Sequence, residues 1–134
     1  MNIEKFTNKS REALFSASQT AQARQNSELK NIHLLYALLE QENGLIPSII
    51  QKLQISTKIF TEQVNEELNR LPKVSGSTSQ DVHQSSEFSQ MLNFADQIAK
   101  ELKDEYLSVE HLFLGMLRCT NSSTSKILVL ICNF

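Results

Sequence analysis

Two acidic side chains, Asp104 and Glu110, stand six residues apart on either side of a predicted loop-to-helix junction. At that spacing both carboxylates can face one opening, together with the hydroxyl of Thr7. There they can accept backbone N–H groups or pair with basic side chains of an extended polypeptide. The simpler interpretation is that Thr7 caps a helix and Glu110 complements a helix dipole. Taken alone, the residues favour the simpler interpretation.

Two histidines, His33 and His111, occupy equivalent positions near the starts of two predicted helices. A metal or catalytic role needs further ligands, or a nucleophile with a fixed orienting partner, and none stands at suitable spacing. We expect each ring to tie its helix start to the preceding connector through a ring nitrogen. We therefore predict no catalytic, cofactor-binding or metal-binding residue. A small hydrolase that uses His111 with Cys119 or Asp104 stays open as a rival.

These residues belong to a sequence that repeats itself at a constant shift of 78 residues. Both copies carry two apolar stripes at helical spacing joined by a polar connector, which predicts helix, loop, helix. The predicted fold is all-α, a pseudo-twofold double repeat of about four helices each, with a groove at the seam between copies. The ungapped window from Ser10 to Glu40 contains eight identities, at Leu14/Leu92, Ala17/Ala95, Gln19/Gln97, Ala21/Ala99, Leu29/Leu107, His33/His111, Leu34/Leu112 and Leu39/Leu117.

Capping residues predict where the helices begin and end. Thr7, Ser56 and Ser108 precede apolar-periodic segments and are good N-caps, and Ser85 or Ser86 opens the second copy. Gly44 is well placed to end the second helix in a left-handed conformation.

The apolar stripes predict which side chains face the core. In the fourth helix we expect Ile59 to face inward with Phe60, and in the second copy we expect Leu102 to close the stripe of the first helix. Phe94 and Ile98 lie beside that stripe. From the residues alone they are core side chains, or else stay partly exposed as apolar footing for an unfolded chain.

Composition changes divide the chain into a first repeat over 1–72, a Ser/Gly-rich linker over 73–85 and a second repeat over 86–134, together one domain. The shift applied to the third and fourth helices predicts counterparts over 125–149, so the second repeat is incomplete in the 134 residues. The run Ile127–Cys132 is apolar on every side, which is unusual for a surface helix.

Charge and motif content exclude several functions. Thirteen Lys and Arg against 15 Asp and Glu form no basic block, which argues against nucleic acid as a partner. The two cysteines lack a metal or disulfide spacing, no signal peptide is visible, and the longest apolar run is too short to span a membrane. We expect a cytoplasmic protein without membrane contact. The three isolated glycines form no phosphate-binding loop.

Several short motifs together carry a family resemblance. They are a His-Leu pair in each second helix, Phe-Thr-Asn-Lys at 6–9 and Leu-Asn-Arg-Leu-Pro at 68–72. With these, the chain resembles the amino-terminal domain of the Clp ATPases, most nearly that of the ClpB disaggregases. ClpC-type domains usually carry Gly-Thr-Glu-His at the start of both second helices, whereas only Glu110 keeps the acid here and the first copy has Ile32.

The resemblance implies a mobile domain that recruits unfolded or aggregated polypeptide to a ring-shaped hexamer with two ATPase modules. ATP and Mg²⁺ would belong to those modules, and the chain itself would be no enzyme. The family's polar substrate-contacting trio maps onto Thr7, Asp104 and Glu110. Its apolar groove maps onto Phe94 and Ile98, with His111 where a leucine is expected, which makes part of the groove less apolar.

Two further rival interpretations remain from the sequence, beside the hydrolase. One is an adaptor-docking or phosphoarginine-binding domain of a ClpC- or ClpA-type protease complex, with adaptor proteins as partners. The missing acid at Ile32 leaves such a domain at most one acidic site. The other rival is a free-standing regulatory paralogue with no ATPase attached.

Overall fold

The computed structural model describes residues 3–74 and 82–119 together with Thr124, Ile127 and Leu128. Its elements follow the predicted helix–loop–helix order twice, which confirms the all-α fold, with two very short strands in addition. In chain order they are a 3₁₀ turn Ile3–Lys5, α1 Asn8–Ala23, β1 Glu28–Leu29, α2 Asn31–Glu40, α3 Leu45–Lys52, α4 Thr57–Arg70, β2 His83–Gln84, α5 Ser86–Glu101 and α6 Val109–Arg118.

Hydroxyl caps begin three of these helices as predicted. The side chains of Thr7, Ser56 and Ser85 accept the backbone N–H three residues further on, at the starts of α1, α4 and α5. Each cap satisfies a donor that the first helical turn leaves without an intrahelical partner. Ser108 precedes α6, also as predicted, but its hydroxyl bonds elsewhere.

Gly44 does not end α2 in a left-handed conformation. Its φ is −78°, and it is the N-cap of α3. The left-handed residue is its neighbour Asn43, with φ 54°. Asparagine tolerates this region better than most residues because its short polar side chain can bond locally. The turn is therefore made one residue earlier than the glycine predicts.

The two repeats are joined by an exchange of short segments that the sequence did not predict. Just before α1, Phe6 forms a parallel bridge with Leu107 in the connector of the second repeat. Just before α5, β2 pairs in parallel with β1 in the connector of the first repeat, with Leu29 opposite Gln84. These two pairings are related by the 78-residue shift. The connector of each repeat thus pairs with the segment just before the first helix of the other repeat.

The core is continuous across both repeats. Small side chains, Ala13, Ala17 and Ala21, line the buried face of α1 and allow α2 to approach closely. In the second repeat the same role falls to Gly115, because a Cβ there would lie 2.7 Å from the Met91 carbonyl oxygen. The largest fully buried side chains come from both repeats and are Phe88, Ile32, Leu34, Leu35, Leu38, Ile46, Ile50, Leu68, Met91, Leu107, Leu112 and Met116.

Two predicted core residues are exposed instead. Ile59 is 57% exposed, because the buried stripe of α4 runs through Phe60 and its i+4 and i+8 positions, one residue away around the helix. Leu102 is 58% exposed because α5 ends at Glu101, before the stripe reaches it.

The predicted linker is only partly described. Residues 75–81 lie outside the described part of the chain. On its two sides, Lys73 forms an antiparallel bridge with Asn26, and His83 is in β2. Of the apolar run at 127–132, Ile127 and Leu128 are helical and buried, and the remaining four residues lie outside the description. The predicted incompleteness of the second repeat stays a prediction.

Candidate functional site

The second connector, residues 102–108, is organised around the imidazole of His111. Its Nδ1 accepts the backbone N–H of Ser108 at 2.9 Å, so the neutral ring carries its proton on Nε2. Nε2 lies 2.8 Å from Oδ2 of Asp104 and donates to it. The Ser108 hydroxyl donates to Oε2 of Glu110 at 2.9 Å. A chain of hydrogen bonds therefore links Asp104 to Glu110 through His111 and Ser108.

Thr7 docks on the middle of this connector. Its backbone N–H donates to the carbonyl of Leu107 at 3.0 Å. Its hydroxyl accepts the Ser10 N–H and bonds the Ser10 hydroxyl, which in turn reaches the Leu107 carbonyl at 2.9 Å. Thr7 is thus the helix cap that the simpler interpretation predicts, and it lies against the residue midway between Asp104 and Glu110.

The two carboxylates remain accessible on this surface. Asp104 has 49% of its side chain exposed, and Glu110 is exposed. Within the described residues, one oxygen of each carboxylate accepts a hydrogen bond, from His111 in Asp104 and from Ser108 in Glu110. The second oxygen of each has no hydrogen-bond partner among these residues.

Two exposed apolar side chains that were not predicted as site residues lie in the same connector, Leu102 at 58% and Tyr106 at 53% exposure. Their position among acidic residues in the sequence is the pattern that could have identified them as surface residues of the site.

The apolar candidates differ from one another in exposure. Phe94 is half-buried and packs against the core, so part of its ring is accessible. Ile98 is only 5% exposed, which agrees with the core interpretation of this residue and not with partial exposure. His111 is 4% exposed and presents no more than a ring edge. Phe94 is therefore the accessible member of the predicted apolar set.

The first repeat contains a neutral version of the same arrangement. Nδ1 of His33 accepts the Lys30 backbone N–H at 2.9 Å, and Nε2 lies 2.9 Å from Oδ1 of Asn26. Both histidines thus tie a helix start to its connector, as predicted. Burial lowers the pKa of His33 to about 4, and the charges of Arg24 and Lys30 act in the same direction. Asn26 replaces the acid of the second repeat.

The hydrolase rival lacks an activated nucleophile among the described residues. Both ring nitrogens of His111 are engaged, by Ser108 and Asp104. Burial raises the pKa of the Cys119 thiol, and its Sγ lies 3.8 Å from the Glu87 carbonyl oxygen. A thiol held in the protonated form is a weak nucleophile.

The described part of the chain lacks the features of a metal site or a membrane-spanning helix. It contains no group of three or more His, Cys, Asp or Glu side chains able to hold a metal ion. None of its helices is both long and apolar enough to cross a membrane.

A separate cavity of about 380 Å³ lies at the seam between the repeats. It includes Leu14 and the equivalent Leu92, so both copies contribute to it. Thr7, Asp104 and Glu110 are not among the described residues that line it. None of the described lining residues is charged. The groove at the seam and the acidic surface are thus two distinct features. The lining residues are Ile3, Phe6, Leu14, Ser18, Leu29, Gln84, Phe88, Ser89, Leu92 and Asn93.

The duplicated helix pairs and their exchanged segments define an all-helical double-repeat domain. The Clp repeat (R) N-terminal domain family matches residues 5–130, and the chain belongs to that family. The family resemblance drawn from the sequence is thereby confirmed.

Individual relatives agree with this assignment. The chain is 37% identical over 130 residues to the chaperone protein ClpB of Clostridium tetani, covering 96% of this chain and 15% of the relative. It is 34% identical over 119 residues to ClpB of Clostridium perfringens, covering 87% and 14%. The chain thus spans about one seventh of the length of these relatives.

A solved structure shows the same fold. The Hsp104 N-terminal domain from Candida albicans superposes with a TM-score of 0.85 at 22% identity, covering 96% of this chain and 82% of that one.

Proposed function

We propose that this domain recruits unfolded or aggregated polypeptide, weakly and reversibly, for an ATP-driven protein disaggregase of the ClpB type. The observation that carries the proposal is the second connector. It holds two accessible carboxylates beside exposed Leu102 and Tyr106, in contact with Thr7. A small apolar footprint with a few screened polar contacts gives fast exchange, which suits a receptor that must release its cargo.

The remaining parts of the proposal follow from the family. The ATPase modules, with ATP and Mg²⁺, lie outside this sequence, which has no phosphate-binding loop, and they assemble as a cytoplasmic hexamer. In this chain Thr7, Asp104 and Glu110 contact the client, with Phe94 and the edge of His111 as apolar neighbours. Ile98, four residues after Phe94 on α5, is buried.

The test is binding of a permanently unfolded protein, reduced and carboxymethylated α-lactalbumin, to single variants of the domain. Thr7→Ala and Glu110→Ala are expected to weaken binding about two- to fivefold, since exposed polar contacts each contribute less than about 1 kcal/mol. Fluorescence anisotropy measures the affinity, and circular dichroism checks that helix content is kept.

Matched controls separate binding from stability. Ser56→Ala removes an equivalent helix cap on α4, and Glu66→Ala removes an exposed acid there, both away from the connector. Both controls should bind as the wild type does. Equal binding by all five proteins would remove the trio from the site. Preferential binding of phosphoarginine, lost in Glu110→Ala, would instead support the ClpC-type rival.

A further inference from the structure

A second cavity, of about 410 Å³, opens between α1 and α2 in the first repeat. Its walls are mostly small or polar, with the buried Ala37 and the half-buried Tyr36 among them. We call it the α1–α2 cavity. Its lining residues are Ser16, Gln19, Thr20, Ala23, Tyr36, Ala37, Glu40 and Gln41.

The second repeat shows what this position holds when it is filled from within. By the 78-residue shift, Ser16 corresponds to Phe94 and Thr20 to Ile98. The two helix pairs are equivalent, so a ring and a branched aliphatic side chain stand where the first repeat has only two small hydroxyl side chains. This explains why Ile98 is buried although it lies beside the main stripe of α5.

Charge differs between the two repeats at the same place. Arg118, in the last turn of α6, lies with Nη2 3.3 Å from Oε2 of Glu101. The first repeat has Glu40 in place of Arg118, and α2 has no basic residue in its last turn. The end of a helix carries partial negative charge, and a carboxylate there adds to it.

Glu40 has no ion pair among the described residues. Arg24 follows α1 directly, but its Nη1 donates to Oδ1 of Asn69 on α4 at 3.0 Å. Glu40 is the one charged side chain among the described residues that line the cavity. The carboxylate of Glu40 is therefore open to a cation from another molecule.

We propose that the α1–α2 cavity is a second anchoring subsite for client polypeptide, taking an aromatic or branched apolar side chain next to a Lys or Arg. The apolar side chain occupies the space that Phe94 and Ile98 fill in the second repeat, and the basic group pairs with Glu40. The inference rests on the proposed recruiting function and specifies part of its substrate preference.

The test uses short acetylated and amidated peptides on a Gly/Ser background, with a central Phe-Lys, Ala-Lys or Phe-Glu pair. Titration of the wild-type domain followed by NMR reports both affinity and location. The Phe-Lys peptide is expected to shift the amide signals of Ala23, Ala37 and Glu40 and to bind more tightly than the other two peptides.

Two variants test the subsite and leave the residues of the second connector unchanged. Ser16→Phe with Thr20→Ile places the residues of the second repeat in the cavity. It should weaken Phe-Lys binding on the order of tenfold, the loss expected when an apolar side chain is no longer buried. Glu40→Gln should abolish the preference for Phe-Lys over Phe-Glu, and Glu66→Gln on α4 should not.

The outcomes separate this inference from the recruiting function. Loss of Phe-Lys binding in the filled variant, with shifts confined to the cavity, supports the subsite. Binding that shifts only the second connector and is unchanged in the filled variant overturns the subsite while the recruiting function stands. Absence of binding by all three peptides overturns the subsite. If unfolded α-lactalbumin also fails to bind, the recruiting function falls with it.

Discussion

The imidazoles of His33 and His111 are the residues through which each helix pair is aligned with its connector. Each Nδ1 accepts the N–H of the residue three positions earlier, and each Nε2 reaches a connector side chain. One ring thereby satisfies a helix-start donor and fixes the connector. This role was predictable from the position of each histidine. The side chain that bonds each Nε2 was not predictable. Asn26 reaches His33, and Asp104 reaches His111, only when the connector folds back onto the helix start.

Stability should depend on pH through His33. Its pKa is about 4 in the folded protein against 6.5 for an unperturbed ring, so the unfolded chain binds more protons between these values. The contribution is fully present above about pH 6.5 and is lost as pH falls toward about 4, by up to about 3 kcal/mol. Urea unfolding across this range measures it.

The matched variants are His33→Gln, which should flatten this part of the stability profile, and His83→Gln, which alters an exposed ring and should retain it. A folded-state NMR titration that places the His33 pKa near that of an unfolded histidine would contradict the prediction.

At the scale of elements, close helix contact in the second repeat depends on Gly115. A Cβ at this position would lie 2.7 Å from the Met91 carbonyl oxygen and 3.1 Å from the Ala95 backbone nitrogen. Both neighbours are main-chain atoms of α5, so a clash cannot be relieved by a rotamer change. The equivalent position in the first repeat is Ala37, which α1 accommodates.

We expect Gly115→Ala to destabilise the domain by about 1–3 kcal/mol, the usual range for overpacking, although alanine favours the helix by about 1 kcal/mol. Thermal or urea unfolding measures the change. Leu114→Ala, which alters an exposed neighbour on α6, is the control and should have a smaller effect. Unchanged or increased stability in Gly115→Ala would show that α5 and α6 can separate without loss.

The sequence predicted elements where one side chain decides the local structure. Thr7 and Ser56 identified helix starts because a hydroxyl before an apolar-periodic segment can accept a backbone N–H of the first helical turn. The prediction was wrong at Ile59, because neighbouring apolar residues compete for one buried stripe and only the packed neighbour settles the choice. Two-residue strands carry no periodicity, so their pairing was not predictable.

The part of the candidate site that depends on local geometry was predictable. Asp104 and Glu110 are close in sequence, and their connection through one hydrogen-bonded connector follows from local geometry. The separation of that connector from the seam cavity, and the exposure of Leu102 and Tyr106, depend on how the two repeats dock. Docking arises from contacts that span much of the chain, which local patterns do not encode.

At the scale of the whole molecule, the repeats are expected to unfold together. Phe6 is 6% exposed and joins the core, bridges to Leu107 and lines the seam cavity. Nearby, Lys5 donates to Asp96 on α5 at 2.8 Å, and this contact, with a further one to Lys100, lowers the pKa of that carboxyl. The entry to α1 is therefore fastened to the second repeat by both apolar and charged groups.

Phe6→Ala should destabilise the domain by about 3–5 kcal/mol, as expected for a buried aromatic side chain. The loss should extend to α5 and α6 as well as α1, and native-state hydrogen exchange can resolve it helix by helix. Ile3→Ala removes a side chain that is 67% exposed and is the matched control. Loss of protection confined to α1 would show that the repeats unfold independently.

The reciprocal pairing of Phe6 with Leu107 and of β2 with β1 has a consequence for ancestry. Contacts in which each half offers the other the same pair of segments are those of an isologous interface. A shorter polypeptide carrying one helix–loop–helix unit could form all of them with an identical copy of itself. Gene duplication would then fuse an existing homodimer into one chain, after which the halves could diverge into a charged face and a neutral one.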